Sequence, residues 1–403
     1  MRRRHLLALA PTAALAACTN RTDPTSADPE ATAPSDPEGT RPEESAAPTQ
    51  EPSTEPSTQP PTRAEALLEE LGPRELAGQL VLVGIHAGQQ IPSEVLSDHH
   101  AGGILLLQVW EVGDAVDEIV AEARDGSRGG LGPLVAVDQE GGQVRMLRGD
   151  AARRTPSAEE LGEQGPGAVT EAYTSIGEDL SGHGIGVALA PVADVVDPDL
   201  GDANEPVGGL DRGFGTDPEH VARCVAAATE ALADRGVTAT LKHFPGLGRV
   251  EQNTDFSAEG IVDDVTGADD PFLDSFAAGI EAGAGLVMMS SAIYPRLEPD
   301  VPAMFSRAAV QDLLRDQLGF DGVVITDDIG AAEAVADVPV AQRATRPLEA
   351  GGDVVLTADA SLTGELVDAI EQWAAESEEH RERLRESVGR VLALKESMGL
   401  LEE

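Results

Sequence analysis

Lysine is nearly absent from this 403-residue chain, with Lys242 and Lys395 the only two. A chain that otherwise uses arginine and keeps a lysine at 242 points to a needed ammonium there. The plain alternative is an ordinary surface lysine. Cysteine is just as scarce, at Cys18 and Cys224, which excludes a disulfide framework or a cysteine-based zinc site. Cys224 lies in an Ala-rich helical run and is expected to be a small buried hydrophobe. Aromatic residues make up 3 %, so a core has to be built from Val, Leu, Ile and Ala. That suits strands buried on both faces better than an aromatic-rich sandwich. Positive charge is short too: 28 Lys and Arg face 72 Asp and Glu, a formal net charge of −44. Phosphate backbones repel such a chain, so no nucleic-acid partner is expected. The acidity suits solubility in a salty or wall-associated setting.

The first residues read as a targeting segment. Arg2-Arg3-Arg4 is followed by an apolar stretch from Leu6 to Ala17, ending Leu15-Ala16-Ala17-Cys18. The stretch is well short of the roughly 20 residues that cross a bilayer as a helix. Small residues before a cysteine resemble a bacterial lipobox. Residues 1–18 are therefore expected to be a lipoprotein signal peptide, with Cys18 carrying the lipid. An ordinary signal peptide with an incidental cysteine is the alternative. The lipobox reading places the protein outside the cytoplasm, anchored to the membrane. Residues 19–62 are rich in Pro, Ser, Thr and Glu with almost nothing apolar. Such a stretch buries too little to offset its ordering entropy and is expected to be a disordered tether.

From residue 63 to 403 the pattern changes to short apolar runs alternating with amphipathic ones. The predicted strands are Gln79–Ile85, Gly103–Leu107, Leu134–Val137, Val187–Ala190, Ala239–Lys242, Leu286–Met289, Val323–Thr326 and Val354–Leu356. Pro218–Arg235 and Ser306–Leu318 read as helices between them, the second with Ser306 as N-cap and Gly319 as its stop. Ser361–Glu376 and Glu379–Met398 read as closing helices. Eight strands alternating with helices predict an α/β fold, a single-domain (β/α)₈ TIM-type barrel. An open doubly wound sheet is the runner-up, weakened by the lack of a Gly-x-Gly-x-x-Gly turn after the first strand.

In such a barrel, chemistry sits at the C-terminal ends of the strands. The third strand runs into Asp138-Gln139-Glu140-Gly141-Gly142 and the fourth toward Asp194. The fifth ends in Lys242-His243-Phe244-Pro245-Gly246-Leu247-Gly248, and the seventh in Thr326-Asp327-Asp328. Acids in these places can be mere helix caps. Asp328 fits that role. Asp138, Lys242, His243 and Asp327 together point instead to a site. The pair His99-His100 is read as satisfied surface residues, because neighbouring side chains diverge. The acidic pairs Asp263-Asp264 and Asp269-Asp270 are read as solvated helix starts. No metal and no cofactor are expected.

Four segments carry a resemblance. Asp138 to Arg145, Asp211-Arg212-Gly213-Phe214-Gly215 with Asp217-Pro218, Lys242 to Gly246, and Gly322 to Asp328 resemble, in order, signatures of family 3 glycoside hydrolases. The resemblance covers about residues 65–400, and the single-domain length is that of the β-N-acetylhexosaminidase branch. It implies a retaining, exo-acting glycosidase of cell-wall or related β-linked sugars. It also implies that Asp327 is the nucleophile and that Asp138, Arg212, Lys242 and His243 hold the sugar. Lys242 near Asp327 would help keep the nucleophile ionised. An Arg fork beside a carboxylate would clamp vicinal hydroxyls.

One segment departs from the family's pattern. In this branch an Asp-x-His pair follows the Lys-His-Phe-Pro-Gly-x-Gly motif after four intervening residues, and its His is the acid/base. Here those positions hold Asn253 and Asp255. Three readings remain open. Asp255 replaces the imidazole as a carboxylic acid/base with a raised pKa; the acid/base comes from elsewhere in the barrel or from the substrate; or the chain is a sugar-binding lipoprotein with weak or no turnover. A loop carboxylate of no function is the bland alternative for Asp255. Ser291 also stands where relatives often carry a His.

Overall fold

The computed structural model describes residues 61–402. The expected signal peptide with Cys18, and the expected tether as far as residue 60, lie outside the described residues. Thr62 caps the first helix, Arg63–Glu70, in a reciprocal pair with Glu65.

Eight parallel strands follow: β1 (Val81–His86), β2 (Gly103–Leu107), β3 (Leu134–Val137), β4 (Val187–Ala188), β5 (Thr238–Phe244), β6 (Leu286–Met289), β7 (Val323–Asp328) and β8 (Val354–Thr357). They close in the order β1-β8-β7-β6-β5-β4-β3-β2. Val81 pairs with Val355, so the first strand seals against the last. The closed ring excludes the open sheet. All residues of β3 and of β6 are buried, as expected for strands with side chains inside the barrel on one face and under helices on the other.

Three strands match their predicted bounds and the others shift for local reasons. β1 starts at Val81 because Gln79 keeps helical backbone at the end of Pro73–Gly78. Gln79 and Leu80 are both buried, so apolarity alone could not separate them from the strand. β7 runs on through Asp327 and Asp328 because its ladder does: Leu356 pairs with Asp328.

The helices show the same mixture. Pro218–Ala233 starts on Asp217, whose carboxylate accepts the amide of Glu219, and buries Val221, Cys224, Val225, Ala228 and Leu232 on one face. The segment read as Ser306–Leu318 is a π-type helix over Ala308–Gln317. Ser306 Oγ still caps it, accepting the amide of Ala309 at 3.1 Å, and Gly319 ends it at φ +71°. The acidic pairs are not simply solvated. Asp263 is buried and accepts Thr266 Oγ1 at 2.6 Å, while Asp270 receives Arg249 at 2.9 Å. His99 is half-buried, with Nδ1 2.9 Å from Arg74.

Toward the strand N-termini, Asp353 ties the barrel shut. Fully buried, it accepts from Arg315 at 2.5 Å, Arg390 at 3.0 Å, Arg383 at 3.1 Å, Ser387 at 2.8 Å and the Val324 amide at 2.9 Å. These bonds join β7 and β8 to the last helix, Glu378–Ser397. Lys395 on that helix is buried and donates to Gln79 Oε1 at 2.7 Å. Burial without a carboxylate partner lowers its ammonium to about 7.

Candidate active site

The strand C-termini open on a cavity of about 780 Å³. Its floor is apolar: Leu105 from β2, Leu189 just past β4, Met288 from β6 and Leu356 from β8. All six residues singled out in the sequence line it, namely Asp138, Arg212, Lys242, His243, Asp255 and Asp327. Ser291 is buried and is not among the lining residues.

The cations are held by a residue that the sequence reading passed over. Glu140 lies in a short hairpin, Gln139–Gly141 with Val144–Arg145, directly after β3. It is buried, receives Arg212 Nε and Nη2 at 2.8 Å each, and takes Lys242 Nζ at 2.6 Å. Burial alone would raise its carboxyl, but the charges of Arg212 and Lys242 override burial and hold it at about 2. Lys242 also reaches Asp138 at 2.5 Å. Two details of these cations go beyond what the resemblance implied. The ammonium of Lys242 pairs with Asp138 and Glu140 and makes no ion pair with Asp327. The Arg212 fork is turned into the protein, onto Glu140 and the Pro206 carbonyl, so it is a braced wall of the site more than an open clamp. The surface alternative for Lys242 is also excluded, since it is 2 % exposed.

His243 is set by Asp194. Asp194, fully buried, accepts the His243 amide at 3.0 Å, the Leu247 amide at 2.9 Å and His243 Nδ1 at 2.8 Å. Nδ1 thus donates to Asp194, which holds the proton at that nitrogen, and Nε2 lies 3.4 Å from Arg212 Nη2. Asp194 was visible in the sequence only as a strand-end acid. Its role depends on a chain crossing of 49 residues, which no local pattern signals.

Asp327 and Asp328 differ in kind. Asp328 is a bracket: its carboxylate accepts the amides of Gly330 and Ala358 at 2.8 Å and of Ala331 at 2.9 Å, fastening the loop after β7 to the end of β8. Burial raises its carboxyl despite these bonds. Asp327 lines the cavity and, among the described residues, accepts only the Asp328 amide, at 2.9 Å.

Asp255 reaches the same cavity from the loop after β5. That loop leans on the segment after β7: the Asp255 carbonyl accepts the Glu333 amide and the Thr254 carbonyl the Ala334 amide, each at 3.2 Å. Asp255 stands at the solvent-open mouth yet is crowded on its inner side by protein. That crowding first, and the charge of Asp327 second, raise its carboxyl to about 6, with His243 and Arg212 pulling partly the other way. Among the described residues no three His, Cys, Asp or Glu side chains gather as a metal site.

A closed (β/α)₈ barrel whose strand-end cavity is lined by the two carboxylates Asp255 and Asp327 and a braced cation pair has the groups that barrel hydrolases of sugars use. The chain belongs to glycosyl hydrolase family 3, whose N-terminal domain model matches residues 74–394. A β-N-acetylhexosaminidase from Beutenbergia cavernae is 43 % identical with a TM-score of 0.77, covering 81 % of this chain and 99 % of that one. A family 3 β-N-acetylglucosaminidase from Paenibacillus is 29 % identical with a TM-score of 0.72, over 82 % of this chain and 63 % of its own. A β-hexosaminidase of Xanthomonas euvesicatoria is 35 % identical over 305 residues, 72 % of this chain and 87 % of that protein. The chain is accordingly a glycoside hydrolase acting on β-linked sugars. A purely sugar-binding role is not favoured by these relatives.

Proposed function

We propose that this hydrolase is a retaining, exo-acting β-N-acetylhexosaminidase of wall-derived or related sugars, with Asp327 as nucleophile and Asp255 as acid/base. The observation that carries the reading is the pair itself. One carboxyl with a raised pKa and a second, nearby carboxylate face one cavity. In the first step the Asp327 carboxylate attacks the anomeric carbon while protonated Asp255 gives its proton to the departing oxygen. In the second, Asp255 takes a proton from water, water attacks the anomeric carbon, and Asp327 leaves. Asp138, Lys242, His243 and Arg212 form the wall against which the sugar hydroxyls are placed. Asp138 is the outermost of the clamp acids, its side chain 21 % exposed.

The test is hydrolysis of nitrophenyl β-N-acetylglucosaminide and nitrophenyl β-glucoside from about pH 4 to about pH 8. Asp327→Ala is expected to abolish turnover with the fold intact; unchanged activity would sink the assignment. Asp255→Asn is expected to stall after the first step and to recover with azide, giving a β-glycosyl azide. Failure of azide to help would move the acid/base elsewhere in the barrel.

We also propose a lipid anchor on Cys18 and an extracytoplasmic, membrane-bound location. Arg2-Arg3-Arg4, the short apolar stretch and Leu15-Ala16-Ala17-Cys18 support it. Cys18→Ser should release the protein from the membrane fraction; retention there would end the proposal.

A further inference from the structure

Phe256 is the most exposed large apolar side chain among the described residues, at 82 %. It lines the mouth of the site cavity and follows Asp255 in the chain. The local turn does not need a ring. Asn253 builds the turn by itself: its side-chain carbonyl accepts the Asp255 amide at 2.9 Å. Its backbone carbonyl accepts the amides of Phe256 at 3.1 Å and Ser257 at 3.0 Å. Thr254 is buried below, and the two bonds to Glu333 and Ala334 staple the turn to the segment that follows Asp327. The backbone is thus anchored while the ring stands in water. A ring held in this place can stack on whatever enters the mouth, and covering it removes apolar surface from water.

The chemistry of the site says what covers it. On the function proposed above, the sugar being cleaved sits on the cavity floor, against the wall formed by Asp138, Arg212, Lys242 and His243. Asp255 has to reach the glycosidic oxygen. The leaving group lies on the solvent side of that oxygen, where the residue after Asp255 stands. A pyranose offers a face of C–H bonds, carrying partial positive charge, to the negative face of an aromatic ring.

We propose that Phe256 is the stacking platform of the leaving-group subsite and selects substrates whose leaving group is itself a sugar ring. The inference rests on Asp255 being the acid/base. Two substrates isolate it, both with an alkoxide leaving group that needs the Asp255 proton: the β-linked disaccharide of N-acetylglucosamine, and methyl β-N-acetylglucosaminide, whose leaving group has no ring. The readout is the ratio of kcat/KM on the disaccharide to kcat/KM on the methyl glycoside. Phe256→Ala is expected to lower that ratio about tenfold, mostly through KM, and Phe256→Trp to keep it. A general disturbance of the loop would lower both values together and leave the ratio fixed; that result overturns the proposal while the hydrolase assignment stands. Wild-type protein that turns over neither substrate would remove the N-acetylhexosaminidase reading and this inference with it.

Discussion

Glu140 holds Arg212 by two parallel bonds of 2.8 Å, from Nε and Nη2, while Lys242 approaches the same carboxylate at 2.6 Å. One buried acid therefore sets the position of both cations of the site. Removing it strips Arg212 of its carboxylate and leaves Lys242 with Asp138 alone. Glu140→Gln is expected to cost about 3 kcal/mol in unfolding free energy and about 100-fold in kcat/KM. Chemical denaturation and steady-state kinetics check the two figures. Loss of stability without loss of activity would reduce Glu140 to a structural role.

The same carboxylate gives a pH signature. Its pKa is lowered on folding from 4.5 to about 2, so its contribution is complete above 4.5 and is lost as pH falls toward 2. Wild-type stability should fall across that window more steeply than that of Glu140→Gln. Thermal melts through the acid range measure the difference, and parallel slopes would refute it.

Asp255 should govern the alkaline limb of activity. As the acid of the first step it works protonated, and its pKa of about 6 means turnover declines as pH rises through that value. With N-acetylglucosaminyl fluoride, whose leaving group needs no proton, the limb should vanish. A limb that persists on the fluoride belongs to another group.

Asp194 is expected to act through His243. Asp194→Asn presents an amide that can donate to Nδ1, favouring the wrong tautomer at Nε2, opposite Arg212. A fall of roughly 10- to 100-fold in kcat/KM is expected. Histidine proton resonances report the tautomer independently. Unchanged resonances with lost activity would point to a wider collapse of the loop.

The barrel was legible because its signal is local. A run such as Leu286–Met289 cannot be anything but buried, and eight of them at this spacing leave few architectures. The strand-end motifs placed the site, and every residue taken from them faces one cavity. The supports were not legible. Glu140 stood inside a quoted motif but reads as one more acid until Arg212, 72 residues on, is seen to close on it. The pairing of Lys242 with Asp138 and Glu140 was hidden in the same way: sequence order names the groups at a barrel mouth but not which of several carboxylates a cation meets. Asp263 misled for another reason, since a run of acids looks solvated until its amide and hydroxyl partners are known.

Lys395 offers a test away from the site. Its ammonium is lowered from 10.5 to about 7 by burial, so between these values the unfolded chain binds a proton that the folded chain does not. Stability should rise with pH across that range and level off below 7, where both states carry the proton. Lys395→Gln should flatten the slope. A slope unaltered by the substitution would mean that Lys395 stays charged on its Gln79 partner.

Both lysines of the chain are inside the barrel domain, 2 % and 1 % exposed, and residues 1–60 contain none. To any reagent that acylates side-chain amines, the folded protein is therefore nearly blank. Dyes, cross-linkers and solid supports that couple through lysine would find no purchase until the fold opens. The onset of such labelling becomes a direct clock for unfolding. Attachment of the intact enzyme has to go through its abundant carboxylates, at the hazard of capping Asp255 as well.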